Sequence, residues 1–329
     1  MPSNVQTYGD IKTRDAPMTR QITAPDGTPI SPFAFGTMQF GGRADADESR
    51  AMFDASVAAG INHFDTAYVY TDGASETLLG AFAAPIRDQL IIATKAAYVG
   101  GSGRANILSA FDTSRQRLGM DSVDILYLHR YDPNTPLEET YDTLAELKQQ
   151  GKIRHIGVSN HAAWQVMKSV AVAAERDLTI DIIQPMYNLV KRQAEVELLP
   201  MAQDQGMAVA PYSPLGGGLL TGKYATESGA GRLTEDTRYR ARYGQDWMWQ
   251  TARDLTSLAD KHGIDPATLA VAWAAAHPGV TCPILSARSV AQLQASLDAI
   301  NYDLSEELHA AITALSPTPA PATDRLEEG

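Results

Sequence analysis

Short apolar runs recur along the chain as FAFG, INHFD, LIIATK, DILYLH, IRHIGVSN, IDIIQ, MAVAPYS and VTCPIL. Most are separated by longer amphipathic segments: DESRAMFDASVAAG, SETLLGAFAAP, RANILSAFDTSRQRLG, PLEETYDTLAELKQQG, HAAWQVMKSVAVAAERD and AEVELLPMAQDQG. The short runs predict buried strands, and the segments between them carry a helical period. Several helical patterns stop at a glycine just before the next run, at Gly60, Gly119, Gly151 and Gly206, where a C-cap ends a helix. Eight strands alternating with helices predict a parallel sheet of the α/β class, and that number closes into a single (β/α)8 TIM barrel.

Ahead of the first strand, RQITAPDGTPISPFAFG carries a turn signal at Asp26-Gly27 between two extended pieces, which predicts an N-terminal β-hairpin. Residues 1–18 are polar and irregular, and residues 316–329 are acidic and rich in Pro and Ala. Both read as flexible tails around one barrel domain over residues 19–315. The stretch from Thr221 to Tyr243 breaks the rhythm. It contains Arg232, Arg238, Tyr239, Arg242 and Tyr243, and it reads as a long loop after strand seven on the face where barrel active sites lie. Trp247 and Trp249 follow, as pocket wall or as helix-packing aromatics.

Composition narrows the function classes. With 329 residues, 44% hydrophobic and 20% charged, the chain suits a soluble globular protein with a large core. A net charge of −12 argues against a general nucleic-acid or anionic-membrane binder, because phosphates need a basic face. The single cysteine, Cys282, rules out an intramolecular disulfide and lies in an apolar run, as a small core residue would. No run approaches the ~18 apolar residues of a membrane span, and the start lacks the apolar core of a signal peptide. The expected location is the cytoplasm.

In a barrel, side chains at the C-terminal strand ends converge on one mouth even when far apart in sequence. Those ends supply Asp65 and Tyr70 after strand two, Lys95 after three and His129 after four. Strand five ends at Ser159 and Asn160, six at Gln184, and seven at Tyr212 and Ser213. Each alone has a structural reading: Asp65 capping a helix, Tyr70 packing, Lys95 snorkelling, His129 satisfied in the core, Asn160 capping the helix from His161. Together they form a proton donor. A phenol of ordinary pKa, about 10, is a poor acid near neutrality, but a nearby ammonium lowers that value and a buried carboxylate keeps the ammonium charged. Tyr70 is then the general acid, Lys95 its tuner, Asp65 the partner of Lys95, and His129 the donor that orients a carbonyl oxygen. His63, His129, His155 and His161 lack a spacing that names a metal, so no metal site is expected.

These four residues, in order and context, resemble the catalytic tetrad of the aldo-keto reductase superfamily. The resemblance runs from about Arg20 to Ser316 through GTMQFGG, FDTAYVY, YLHRYD, GKIRHIGVSN, IIQPMYNL, PYSPLGGGLLTGKY and ILSARSVAQL. The segments TPLEETYDTLAELKQQGKIRHIGVSNHAAWQV and GRLTEDTRYRARYG look closest to the aflatoxin-aldehyde reductase branch. The resemblance implies reduction of a small-molecule aldehyde or ketone by direct hydride transfer from NADPH, or the reverse oxidation with NADP+. Potassium-channel β subunits resemble the same family, so a cofactor-binding regulatory subunit is the alternative.

No Rossmann fingerprint is present, since VGGSGRAN lacks the G-x-G-x-x-G phase. The resemblance instead implies NADPH stretched across the barrel mouth. Ser159, Asn160 and Gln184 would hold the carboxamide, and Tyr212 would stack on the nicotinamide. Gly36, Thr37 and the stretch from Ser213 through Leu215 and Gly217 to Lys223 would line the ribose and pyrophosphate. Ser286, Arg288 and Gln292 would take the adenine end, where Arg288 heads a helical pattern suited to a 2′-phosphate. The family often has Gly at the position of Ser286 and Asn at that of Ser296, which leaves room for NADH.

Overall fold

The computed structural model describes residues 19–224 and 232–328. Eight parallel strands run β1 Ala34–Gly36, β2 His63–Asp65, β3 Ile91–Ala96, β4 Val123–Leu128, β5 Ile153–Ser159, β6 Ile182–Gln184, β7 Ala208–Val209 and β8 Ile284–Leu285. Neighbours in sequence are neighbours in the sheet, and β1 also pairs with β8. The remaining seam, between β7 and β8, is closed by backbone bonds: the Cys282 and Ile284 N–H groups donate to the carbonyls of Val209 and Pro211 at 3.1 and 2.8 Å. The eight-stranded barrel expected from the alternation is therefore present.

The helices are α1 Ala46–Ala58, α2 Ala74–Ala83, α3 Arg104–Leu118, α4 Leu137–Gln149, α5 Ala163–Ala174, α6 Leu198–Asp204, α7 Arg232–Glu235, α8 Thr237–Tyr243, α9 Asp246–His262, α10 Pro266–Ala276, α11 Val290–Asp298 and α12 Glu306–Thr313. Gly60, Gly119, Gly151 and Gly206 all take positive φ just beyond a helix end, as the C-cap reading requires. The Thr221–Tyr243 stretch is more ordered than a loop: its described part carries α7 and α8, with Asp236 capping α8 by accepting from Arg238 N–H. The flexible tail expected over residues 1–18 lies outside the described residues.

Strand side chains alternate between two cores. Phe35, Phe64, Ile92, Leu126, Val158, Ile183 and Leu285 face outward and pack under the helices. Ala34, Ile91, Ala93, Ile125, Tyr127, Ile182, Ala208 and Ile284 face the barrel interior. The hairpin, a single antiparallel bridge between Thr23 and Pro29, sends Ile22 and Ala24 into that interior core. On β5 the inward position opposite Tyr127 is Gly157, where a Cβ would meet the phenol ring at 2.4 Å.

Inward parity carries on to the strand ends. On β2, β3, β4 and β6 it passes from His63 to Asp65, from Ile91 and Ala93 to Lys95, from Ile125 and Tyr127 to His129, and from Ile182 to Gln184. Apolar residues fill the lower layers and polar residues the last layer below the mouth.

Candidate active site

Lys95 is 1% exposed and Asp65 3%, so this ion pair sits inside the barrel. The Lys95 ammonium donates to Asp65 Oδ1 at 2.5 Å and to the Thr66 carbonyl at 2.8 Å, and its third donor direction reaches Tyr70 Oη at 3.3 Å. Gln184 Nε2 donates to the other Asp65 oxygen at 2.9 Å. The carboxylate is thus fixed from two strands and the ammonium from three directions. The His129 ring stands edge-on to Tyr70 with centroids 6.0 Å apart.

Tyr70 enters the mouth on a tight turn. Thr71, Asp72 and Gly73 take φ of 46, 53 and 95°, three left-handed residues in a row. Such a run is unfavourable for Thr and Asp unless it is held. Thr71 Oγ1 donates to the Phe40 carbonyl and accepts from Ser75 N–H, while Arg117 packs across Gly73. Arg117 also donates to the Tyr68 carbonyl at 2.8 Å and to the buried Glu76 at 3.2 Å, and Glu76 accepts from Thr94 next to Lys95. Behind the tyrosine lies an ion pair that ties its turn to the strand bearing Lys95.

Burial dominates the electrostatics. The Tyr70 phenol is pushed up from its ordinary value by enclosure, and the pull of Lys95 in the other direction is smaller. This corrects the expectation of a lowered phenol pKa: a phenolate in a dry site loses more hydration than one ammonium at 3.3 Å returns. Burial would lower Lys95, but Asp65 and Tyr70 outweigh it and hold the ammonium charged. His129 is depressed to about 3 by burial, with Lys95 and Arg130 adding to the effect, so the imidazole is neutral at ordinary pH. Its Nδ1 is buried with no partner among the described residues, which leaves Nε2 as the nitrogen that can meet a ligand.

Ser159, Asn160, Gln184 and Tyr212 form one hydrogen-bonded chain. Ser159 Oγ donates to Gln184, Asn160 Nδ2 donates to the His129 carbonyl at 2.9 Å, and Tyr212 Oη donates to Asn160 Oδ1 at 2.7 Å. Asn160 does not cap α5, whose cap position is Ala162. Asn160 and Ser213 take φ of 57 and 61°, and Ala97 takes 66°. Most of the positive-φ residues other than glycine thus lie on the mouth loops.

The remaining cofactor candidates are spread around the rim. The Cβ that Gly36 lacks would meet Ile284 at 2.9 Å, and Thr37 is fully buried with its hydroxyl bonded to Ser75 and the Asp65 carbonyl, so it faces the structure. Leu215 packs on the outer core, and the Tyr239 ring lies where a Gly217 Cβ would be, at 2.8 Å. Lys223 Nζ lies 2.9 Å from the Cβ position of Gly218, over a glycine turn. Ser286, Arg288 and Gln292 cluster at the start of α11, with Ser286 and Gln292 exposed. The Val290 N–H there is already taken by Glu48 Oε1 at 2.6 Å, so a phosphate at that end would share the helix start with a carboxylate.

Several residues at the mouth escaped the sequence reading. Tyr98 packs against His129 with ring centroids 4.7 Å apart, and the Arg130 guanidinium lies 4.9 Å from the Tyr98 ring centre. Their nearness to the strand ends after Lys95 and His129 was the available signal. Trp249 is a packing residue, donating to the Tyr243 carbonyl and set edge-on to Tyr224, whereas Trp247 is on the surface and bonds Gln245. Cys282 is buried in the barrel interior. Among the described residues no cluster of three or more His, Cys, Asp or Glu could hold a metal, and no helix is long and apolar enough to cross a membrane.

The aldo/keto reductase family model matches residues 32–317. The protein tas of Escherichia coli K12 is 34% identical over 327 residues, covering 87% of this chain and 94% of its own length. A probable voltage-gated potassium channel subunit beta of Arabidopsis thaliana is 32% identical, with 84% and 89% covered. Aflatoxin B1 aldehyde reductase member 2 of Rattus norvegicus is 37% identical over 231 residues, with 68% and 62% covered. A family match that takes in all eight strands and every mouth loop leaves one assignment: this chain belongs to the aldo/keto reductase family, a family of oxidoreductases.

Proposed function

We propose that this protein is an NADPH-dependent reductase of aldehydes and ketones in which Tyr70 is the general acid. The observation that carries the reading is the Lys95 ammonium held between Asp65 at 2.5 Å and Tyr70 at 3.3 Å under the barrel mouth. The family assignment supports oxidoreduction, and the rat relative is named an aldehyde reductase, which favours carbonyl reduction. The working unit is the barrel of residues 19–315, acting in the cytoplasm on small molecules rather than on nucleic acid or membrane.

The residues present fit the cofactor. Ser159, Asn160 and Gln184 offer amide and hydroxyl partners for a carboxamide, and the Tyr212 ring offers a face for the nicotinamide. The glycine turn at Gly217-Gly218, overlain by Lys223, suits a diphosphate. Arg288, Ser286 and Gln292 would hold the adenine end. When bound, NADPH supplies the hydride that reaches the carbonyl carbon.

The chain's own side chains manage the oxygen. His129, neutral, donates from Nε2 to the carbonyl oxygen and fixes its direction. Tyr70 Oη gives its proton to the same oxygen as negative charge develops there. Lys95 faces the resulting phenolate, and Asp65, held by Gln184, keeps Lys95 charged and in place. The high phenol pKa keeps Tyr70 protonated before reaction, and the ammonium stabilises the phenolate when it forms.

A steady-state assay of NADPH and NADH oxidation over aliphatic, aromatic and dicarbonyl substrates tests the reading. Wild type should turn over, and Tyr70→Phe should lower kcat by about 10²–10⁴-fold with cofactor affinity nearly unchanged. Wild-type rates in Tyr70→Phe would sink the acid assignment. A second reading, a cofactor-binding regulatory subunit, rests on the likeness to the potassium channel subunit. Tight cofactor binding with no turnover in either direction would favour it.

A further inference from the structure

Beside the site lies a cation, Arg130, with no counterion among the described residues. Arg130 directly follows His129, and its root is pinned because the His129 N–H donates to the Ala96 carbonyl while the His129 carbonyl accepts from Asn160. Its guanidinium lies over the Tyr98 ring, and Tyr98 in turn packs on His129. The two centroid distances, 4.9 and 4.7 Å, together set the upper bound on the separation of guanidinium and imidazole. Among the described residues Arg130 makes no ion pair. Asp132, two residues on, has both oxygens engaged by the two loops, with Oδ2 accepting from Ser102 N–H and Thr135 Oγ1 and Oδ1 from Asn134 N–H.

Other mouth arginines are differently placed. Arg238 is paired with Asp236, and Arg242 stacks on Tyr239 over the glycine turn. Arg130 instead lines a cavity of about 470 Å³ between the loops after β3 and β4, which Ala97, Gly101, Tyr131 and the hydrogen-bonded Asp132 also line. The left-handed turn at Ala97 sets the chain direction leading to the partly exposed Tyr98. An exposed arginine whose guanidinium carbon sits over an aromatic ring, 4.9 Å from its centre, has N–H donors to offer a bidentate carboxylate or phosphate.

We propose that Arg130, held on Tyr98, is a specificity-determining residue that binds an anionic group of the substrate, so that the preferred carbonyl compounds are short acids. This rests on the reductase reading for its carbonyl. With the carbonyl oxygen on His129 Nε2 and one hydrogen-bond length at each end, the span suits an anion about two to five carbons from the carbonyl. In a chain of net charge −12, a local cation also offsets the general repulsion of an anionic substrate.

The test compares 5-oxopentanoate with its methyl ester, on wild type and on Arg130→Met, with NADPH saturating. Wild type should favour the acid, and Arg130→Met should lower kcat/KM for the acid by about 10–100-fold while changing the ester less than about twofold. Equal loss on both compounds, or no loss on either, overturns the proposal and leaves the reductase reading standing. If wild type reduces neither compound nor any other carbonyl, the reductase reading fails instead. Calorimetric titration of glutarate into the full chain then decides the anion site alone: saturable binding that Arg130→Met abolishes supports it, and absent or unchanged binding overturns it.

Discussion

Lys95 and Asp65 stabilise each other only as a pair. A buried charge left without its partner typically costs about 3–5 kcal/mol, whereas replacing both by neutral groups of similar shape costs far less. Lys95→Met should therefore lower denaturant stability by about that amount as well as removing turnover, and the double variant Asp65→Asn, Lys95→Met should recover much of the stability and none of the activity. Urea unfolding of wild type, the single variants Asp65→Asn and Lys95→Met, and the double variant checks this, and additive losses would show that the pair is not coupled. At this scale the sequence was informative about identity and blind to balance. Asp65, Tyr70, Lys95 and His129 were legible because each stands at or just after a strand end. The direction of the Tyr70 shift was not, since it depends on how completely the site excludes water, and that is set by separate elements at once, with Asp65 on β2, Lys95 on β3 and Tyr239 on α8 all facing the phenol. Tyr98 and Arg130 were missed for a related reason: each lies on a loop past a strand end, where no alternation marks which side chains turn toward His129.

Elements carry the site only if the turns between them are stiff. The left-handed run Thr71-Asp72-Gly73 aims Tyr70, and Arg117 on α3 clamps it through Glu76 on α2 and the Tyr68 carbonyl. Loosening that clamp should disturb the acid more than the binding sites. Arg117→Met is expected to lower kcat about 10–100-fold with little change in cofactor Kd, because misplacement of a reacting group by ~1 Å costs rates of that order. Arg117→Lys, which keeps a donor, should recover part of kcat. A variant that loses cofactor affinity and kcat together would point to general unfolding of the barrel. The regular elements were legible because strand runs and glycine-ended helices repeat with clear periods. The stretch after β7 was not: α8 is a short helix with Arg, Tyr and Thr at nearly every position, so neither apolar period nor length set it apart from a loop.

For the whole molecule, burial of neutral imidazoles ties stability to pH. His63 and His161 are depressed to about 4 and His129 to about 3, in each case chiefly by burial. An unfolded histidine titrates near 6.5. Below that pH the unfolded chain takes up protons that the folded barrel refuses, so stability is fully present above about 6.5 and falls as pH drops toward 4 and then 3. Each such histidine contributes a slope of at most about 1.4 kcal/mol per pH unit in that window. His161 offers the cleanest check: its Nδ1 lies 2.8 Å from the Ser159 carbonyl, a contact that a glutamine amide can also donate to, and it lies outside the tetrad. Unfolding free energies measured between pH 6 and 5 should rise with pH in wild type, and His161→Gln should reduce that slope by close to one proton. An unchanged slope would mean that His161 protonates in the folded state without penalty, and any histidine share of the barrel's acid sensitivity would then come from His63, His129 and His277, which burial also lowers.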